Sequence, residues 1–222
     1  MFDKMMNLIK YYLFITVPEE YKAEFSTSIN RINFTRGKVT AAAFIVMEVV
    51  QLFVLIIIKR AEAVSKPYIY YGAMYILMIC AMIVFLLIFM KISKDIPAYR
   101  KEIQVLKVVF ASFILCWCAG ISLLDQIYYG QIIVYTVALI AVAVTPIYEP
   151  VLLFFVYFAV QTIFALLLPS FQKSSLLQFG IFINSTGFIL ICWAISYMRY
   201  KRSIHFFYNS KTLQNNIEEL KR

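Results

Sequence analysis

The stretch GFILICWAISYMRYKRSIHFFYNSKTLQNNIEELKR, residues 187–222, begins as an apolar run and ends as a polar, charged one. No glycine or proline follows Gly187 in it. Nothing in the backbone chemistry therefore stops a helix that starts in the apolar half from continuing into the polar half. The apolar half suits a bilayer; the half rich in Lys, Arg, Glu, Asn and Gln has the composition of a solvated connector. Phe206, Leu213 and Leu220 recur at heptad spacing, Ile217 adds the intermediate position, and Ser210 holds the equivalent place one heptad earlier. This spacing predicts the start of a coiled coil, and with it a homodimer through the C-terminal helix. The competing reading is a solvated helix end with no partner.

The rest of the chain agrees with the apolar half. Of 222 residues, 63% are hydrophobic and 15% charged, and the mean hydropathy is +0.80. Soluble domains are only about half apolar, so the composition predicts an all-α integral membrane protein whose first partner is the lipid bilayer. Five further stretches approach the roughly 20 apolar residues that a crossing requires: 38–58, 69–90, 104–124, 130–147 and 150–168, with 177–198 as the sixth. The fourth and fifth are separated only by the turn TPIYEP, which holds Pro146 and Pro150.

Lysine and arginine set the orientation. Of the 21 basic residues, 17 fall on one side: the N-terminal segment, the loop between spans two and three with its helix end, and the C-terminal tail. Lys59, Arg60, Lys66 and Lys173 fall on the other. The bias places both termini in the cytoplasm of a multi-pass protein of the plasma or inner membrane. It also reads the net charge of +9 as a match to the anionic inner leaflet and not to nucleic acid. Before the first span, Phe2, Met5, Met6, Ile9 and Leu13 share one side of a helical projection, which predicts an interfacial amphipathic helix. Pro18 with two following acids predicts a second short helix over 18–33. The expected organisation is an interfacial segment 1–37, a six-span bundle 38–198 and a cytoplasmic signalling helix 199–222.

Polar groups at membrane depth are costly, so each is a functional candidate. Glu48 and Gln51 share a face of the first span, with a hydrogen-bond clip to Asn184, Ser185 or Thr186 in span six as the plain structural role. Gln161 and Asn184 lie deep in spans five and six. The densest cluster is LLDQIYYGQIIVYT, residues 123–136, with Asp125, Gln126, Tyr128, Tyr129, Gln131 and Tyr135. Tyr68, Tyr70, Tyr71 and Tyr75 fall at the same depth. An acid among phenols and amides suits a small polar or cationic ligand, and the alternative is an interfacial aromatic belt. The candidate ligand residues are Asp125, Gln126, Tyr128, Gln131, Tyr135 and Tyr71.

No catalytic or metal-binding pattern is present: no Gly-rich phosphate loop, no HExxH, no GxSxG. His205 stands alone beyond the last span, and Cys116-Trp-Cys118 lacks the spacing of a zinc or redox pair. No catalytic residue, cofactor or metal is expected.

In layout, and in the texture of EEYKAEFSTSINRINFTRGKV (residues 19–39) and NSKTLQNNIEELKR (residues 209–222), the chain resembles the N-terminal membrane sensor of bacterial GGDEF-type diguanylate cyclases. The membrane sensors of peptide-sensing histidine kinases are similar. The resemblance implies a transmembrane input module that drives a cytoplasmic catalytic domain through a dimerising tail. The GGDEF signature is absent from this sequence, so no catalytic residue carries over. The alternative is a six-span substrate-binding subunit of an energy-coupling vitamin transporter, with the small residues of TAAAF (40–44) docking a partner.

Overall fold

The computed structural model describes residue 17 and residues 19–58 and 68–221. The segment expected to form an interfacial amphipathic helix, around Phe2 to Leu13, lies outside the described residues. Every element described is a helix: α1 (Glu19–Ile58), α2 (Tyr68–Ile92), α3 (Arg100–Tyr128), α4 (Ile133–Val144), α5 (Pro150–Phe171) and α6 (Ser175–Leu220). All but α4 are long and apolar enough to cross a membrane. Large apolar side chains such as Val46, Phe155 and Leu166 point outward, at 64%, 64% and 74% exposure. An outward apolar belt of this kind belongs against lipid and not against water.

Two expectations need correction. Residues 18–33 do not form a separate short helix, because α1 runs unbroken for 40 residues from Glu19 to Ile58. Its one glycine, Gly37, is buried against α2, and no proline interrupts it. The stretch 130–147 is helical only over the 12 residues of α4, about 18 Å at 1.5 Å per residue. Gly130, at φ +67°, takes the left-handed conformation that ends α3. Both Tyr129 N–H and Gly130 N–H then donate to the Asp125 carbonyl, at 2.7 and 3.0 Å. At the other end, the backbone leaves the helix at Thr145 before Pro146.

Short as it is, α4 connects the two ends of the bundle. Before it, Gln126 Nε2 donates to Gln131 O at 2.6 Å. After it, the turn is held by α1: Asn33 Nδ2 donates to Ile147 O at 2.9 Å and Ile147 N–H donates to Asn33 Oδ1 at 2.7 Å. Arg36 donates to Thr145 O at 2.8 Å, and Arg199 of α6 donates to Ala143 O and Pro146 O at 3.3 and 3.1 Å. Helix α5 starts on Pro150, whose fixed φ suits a first helical position. It returns to the Asp125 end, where Gln172 Nε2 donates to Gln126 Oε1 at 3.3 Å.

The main core lies along α3 and includes the fully buried Met78, Met82, Leu115, Leu139, Leu153 and Phe164. Helix α1 leans on α2 through Phe34 and Phe89, whose ring centroids are 5.8 Å apart; Phe89 in turn meets Phe110 edge-on at 4.9 Å. Gly37 permits this approach, since a Cβ there would lie 2.9 Å from Phe89 Cε2. The Phe89 ring is wedged between Phe34, Phe85 and Phe110 and has nowhere easy to move. Gly37→Ala is therefore expected to destabilise the protein by about 1–3 kcal/mol through overpacking. The check is the thermal unfolding midpoint in detergent, with Gly180→Ala, at an open position, as the control.

A second core forms beyond the apolar belt. The N-terminal part of α1 runs antiparallel to the C-terminal part of α6, burying Phe25, Ile29 and Ile204 with Ile147 of the turn. Ring pairs Tyr21–Tyr208, Phe25–Phe207 and Phe25–Tyr200 lie at 6.1, 5.4 and 6.0 Å, and Glu24 pairs with Lys211. Helix α6 is a single helix of 46 residues, about 69 Å long. The predicted continuation of the apolar run into the polar tail is thus present as one rod. Leu213, Ile217 and Leu220 are exposed on it.

Candidate functional site

At the end of the bundle where α3 turns into α4, a cleft of about 380 Å³ opens between α1, α2 and α3. Helix periodicity builds it. Gln51 and Leu55 lie one turn apart on α1, Tyr68, Tyr71 and Tyr75 succeed one another at three- and four-residue steps on α2, and Asp125 and Tyr129 do so on α3. Tyr71 Oη donates to Asp125 Oδ1 at 2.7 Å. This bond fixes the carboxylate at the wall of the cleft, and no cation pairs with Asp125 among the described residues. The rings of Tyr71 and Tyr75 follow each other along the wall, 6.3 Å between centroids. One turn deeper on α1, Glu48 is completely buried, and neither of its carboxyl oxygens has a hydrogen-bond partner among the described residues. It lies near enough to the Tyr75 phenol and the Cys118 thiol to act on both electrostatically.

The structure divides the sequence candidates into three groups. Asp125, Tyr71 and Gln51 line the cleft, with Tyr68, Tyr75 and Tyr129. Gln126 follows Asp125 directly, but a helix turns about 100° per residue, and its side chain is carried out of the cleft lining. It ties the α3–α4 turn to the end of α5, accepting from Gln172 and donating to the Gln131 carbonyl. Tyr128 and the Gln131 side chain are exposed, away from the cleft.

Tyr135 and Gln161 belong to an internal network. Tyr135 Oη donates to Gln161 Oε1 at 3.2 Å, and Gln161 Nε2 donates to Ser185 Oγ and Thr186 Oγ1 at 2.8 and 3.2 Å. Tyr135 N–H also donates to Ser122 Oγ at 2.9 Å. These bonds join α3, α4, α5 and α6 at depth, where an unpaired polar group would be expensive. They also correct the expected clip: Ser185 and Thr186 serve Gln161 and not Glu48. Asn184 is exposed on α6.

Elsewhere, His205 is exposed, all four cysteines are free, and no three His, Cys, Asp or Glu side chains gather to hold a metal among the described residues. Asn33, Arg36 and Arg199 acquire roles as anchors of the α4–α5 turn that sequence spacing did not reveal. Their only signal was position, as polar groups at the ends of apolar runs.

What the cleft offers chemically is one carboxylate, several phenols and the faces of aromatic rings. Such a set suits a small organic cation, through charge and cation–π attraction. It contains no activated nucleophile and no acid–base pair poised over a reacting atom. No protein-family model, curated protein or solved structure matches the chain.

Proposed function

We propose that this chain is a membrane input module: a small organic cation binds the Asp125 cleft, and the helices relay occupancy to the opposite end of the bundle. The observation that carries the proposal is the continuity of two rods. Helix α1 lines the cleft at Gln51 and Leu55 and reaches, unbroken, the Phe25, Tyr21 and Glu24 contacts with α6. From Gln51 to Phe25 is about 39 Å of one helix. Helix α6 then continues past those contacts to Leu220. A ligand that draws α1 toward α2 and α3 moves the far end of α1 against α6, provided that the two arrangements differ in free energy by an amount the ligand can bias.

In this reading all six helices cross the bilayer, α4 with the help of its flanking segments, and the Asp125 end faces outward. Both termini lie in the cytoplasm, where two copies pair along Phe206, Leu213, Ile217 and Leu220. A catalytic domain of the diguanylate cyclase or histidine kinase kind is the output, on the resemblance given above. The supporting argument for pairing is the heptad spacing of these side chains together with their exposure, 74%, 61%, 44% and 86%.

The test is the oligomeric state in nanodiscs of the full chain and of a chain ending at Lys211, which keeps the Glu24–Lys211 pair. A dimer that becomes a monomer on truncation supports the reading. A monomer in both cases removes the pairing step and favours the transporter-subunit alternative, for which the outward-facing Ala42 and Ala43 of α1 would be the docking surface.

A further inference from the structure

At the end opposite the Asp125 cleft, a second cleft of about 440 Å³ lies between the N-terminal part of α1, the α4–α5 turn and the extension of α6. Three arginines line it: Arg36 from α1, and Arg199 and Arg202, one turn apart, from α6. No aspartate or glutamate does. Arg36 and Arg199 are close enough for their charges to repel, and neither has a carboxylate partner among the described residues. Each is held by neutral carbonyls alone, through Nη1: Arg36 by Thr145 O, Arg199 by Ala143 O and Pro146 O. Nε and Nη2 of both guanidinium groups are left without a protein acceptor among the described residues. Arg202 has no hydrogen bond or ion pair of its own there.

We infer that this cleft is a binding site for a phosphate-bearing anion, held by Arg36, Arg199 and Arg202. The geometry favours it for three reasons. Arg36 and Arg199 are half-buried, with Arg202 exposed at the mouth, and like charges gathered so closely cost free energy unless an anion offsets them. Guanidinium groups with unused donors match the paired oxygens of a phosphate, and three of them together suit a group with more oxygens than the two of a carboxylate. The hydroxyl of Ser28 offers a further donor, that of Ser203 being spent on the Arg199 carbonyl at 2.9 Å, while Ile29, Ile32 and Phe206 make the rest of the wall apolar. A polar patch beside an apolar wall, at the level where the apolar belt gives way to polar helix, suits the headgroup of an anionic phospholipid with the start of its chain. A free phosphomonoester presents the same chemistry without the chain. Either occupant would tie α1, the α4–α5 turn and α6 together. The inference rests on the arginine cluster and does not depend on what binds at Asp125.

The experiment uses the full chain, purified and exchanged into mixed micelles of phosphatidylcholine and phosphatidylglycerol, with retained lipid read by native mass spectrometry. Phosphatidylglycerol should be retained over phosphatidylcholine. Arg202→Gln should weaken that preference about tenfold, the weight of one charge-assisted contact. Arg202 supports no other residue among those described, so its loss leaves the fold intact. Arg31→Gln removes an equal charge from an exposed position of α1 outside the cleft and should leave the preference unchanged. In a parallel arm, inorganic phosphate and glycerol 3-phosphate are added to lipid-depleted protein. An Arg202-dependent rise in the unfolding midpoint, with no preference for phosphatidylglycerol, assigns the site to a soluble phosphate compound and upholds the inference. Equal effects of Arg202→Gln and Arg31→Gln, or no response to either lipid or phosphate, overturn it.

Discussion

Asn33→Ala is expected to destabilise the protein by about 2–4 kcal/mol, the effect of stranding two buried backbone groups. The Asn33 amide makes both hydrogen bonds that an extended strand would have supplied to Ile147, accepting from its N–H at 2.7 Å and donating to its carbonyl at 2.9 Å. Asn33 and Ile147 are 9% and 7% exposed, so little water is on hand to replace the lost partner. The turn cannot rescue itself, because Pro146 and Pro150 bracket it and contribute no N–H. Arg36 and Arg199 grip the neighbouring carbonyls of Thr145 and Pro146, but neither reaches Ile147. Asn33→Gln is the geometric control. It keeps the amide but moves it one methylene further out, so it should hold at most one of the two bonds and fall between the wild type and Asn33→Ala. The measurement is the unfolding midpoint in detergent. A midpoint unchanged in Asn33→Ala would mean that the turn is anchored by the arginines alone.

This anchor also shows where sequence reading reaches its limit. The apolar spans were legible because a bilayer imposes a minimum length on any helix that crosses it. The continuity of α6 was legible because only glycine and proline interrupt a helix cheaply, and neither follows Gly187. The continuity of α1 was not legible in this way, because Gly37 lies between residue 33 and the first span, where a glycine can end a helix; the structure instead uses it for the close approach to Phe89. Pro18 and its acids marked a helix start correctly in kind, and the helix that begins at Glu19 runs on through Gly37 to Ile58. The length of α4 was illegible because the stretch 130–147 is apolar throughout, and only the backbone at Gly130 and Thr145 decides where its helix begins and ends.

At the cleft, antiparallel packing brings Tyr71 and Asp125 to one level, which the ordering of spans had placed there. Rotation about each helix axis was not fixed by that ordering. So Gln126, Tyr128 and Tyr135, neighbours of Asp125 in sequence, turn to a polar clip, to the surface and to the core respectively. The Asn33–Ile147 and Arg199–Pro146 pairs join residues 114 and 53 positions apart, and no local pattern announces such a pairing.

The largest effect on ligand binding should come from Asp125→Asn, which is expected to weaken the binding of a small organic cation, with tetramethylammonium as the probe, about ten- to hundredfold. The substitution keeps the shape of the side chain and its ability to accept from Tyr71, so the wall of the cleft stays in place while the charge goes. Tyr71→Phe does the reverse: it removes the donor that orients the carboxylate at 2.7 Å but leaves both the charge and the ring, and should cost less than Asp125→Asn. Tyr75→Leu removes a ring face, and its loss should be close to one cation–π contact, again smaller than the charge.

Glu48→Gln separates the two carboxylates in this half of the bundle. Glu48 has no exposed surface, so a cation held at Asp125 should bind the Glu48→Gln protein as it binds the wild type. Binding is followed by isothermal titration in nanodiscs, and by salt dependence, since a half-exposed carboxylate should lose affinity as ionic strength rises. Undiminished binding to Asp125→Asn would remove the carboxylate from the site and leave the tyrosines as an interfacial belt. A loss in Glu48→Gln as large as that in Asp125→Asn would move the cation one helical turn deeper, beneath Tyr75, and make the cleft the entrance to the site.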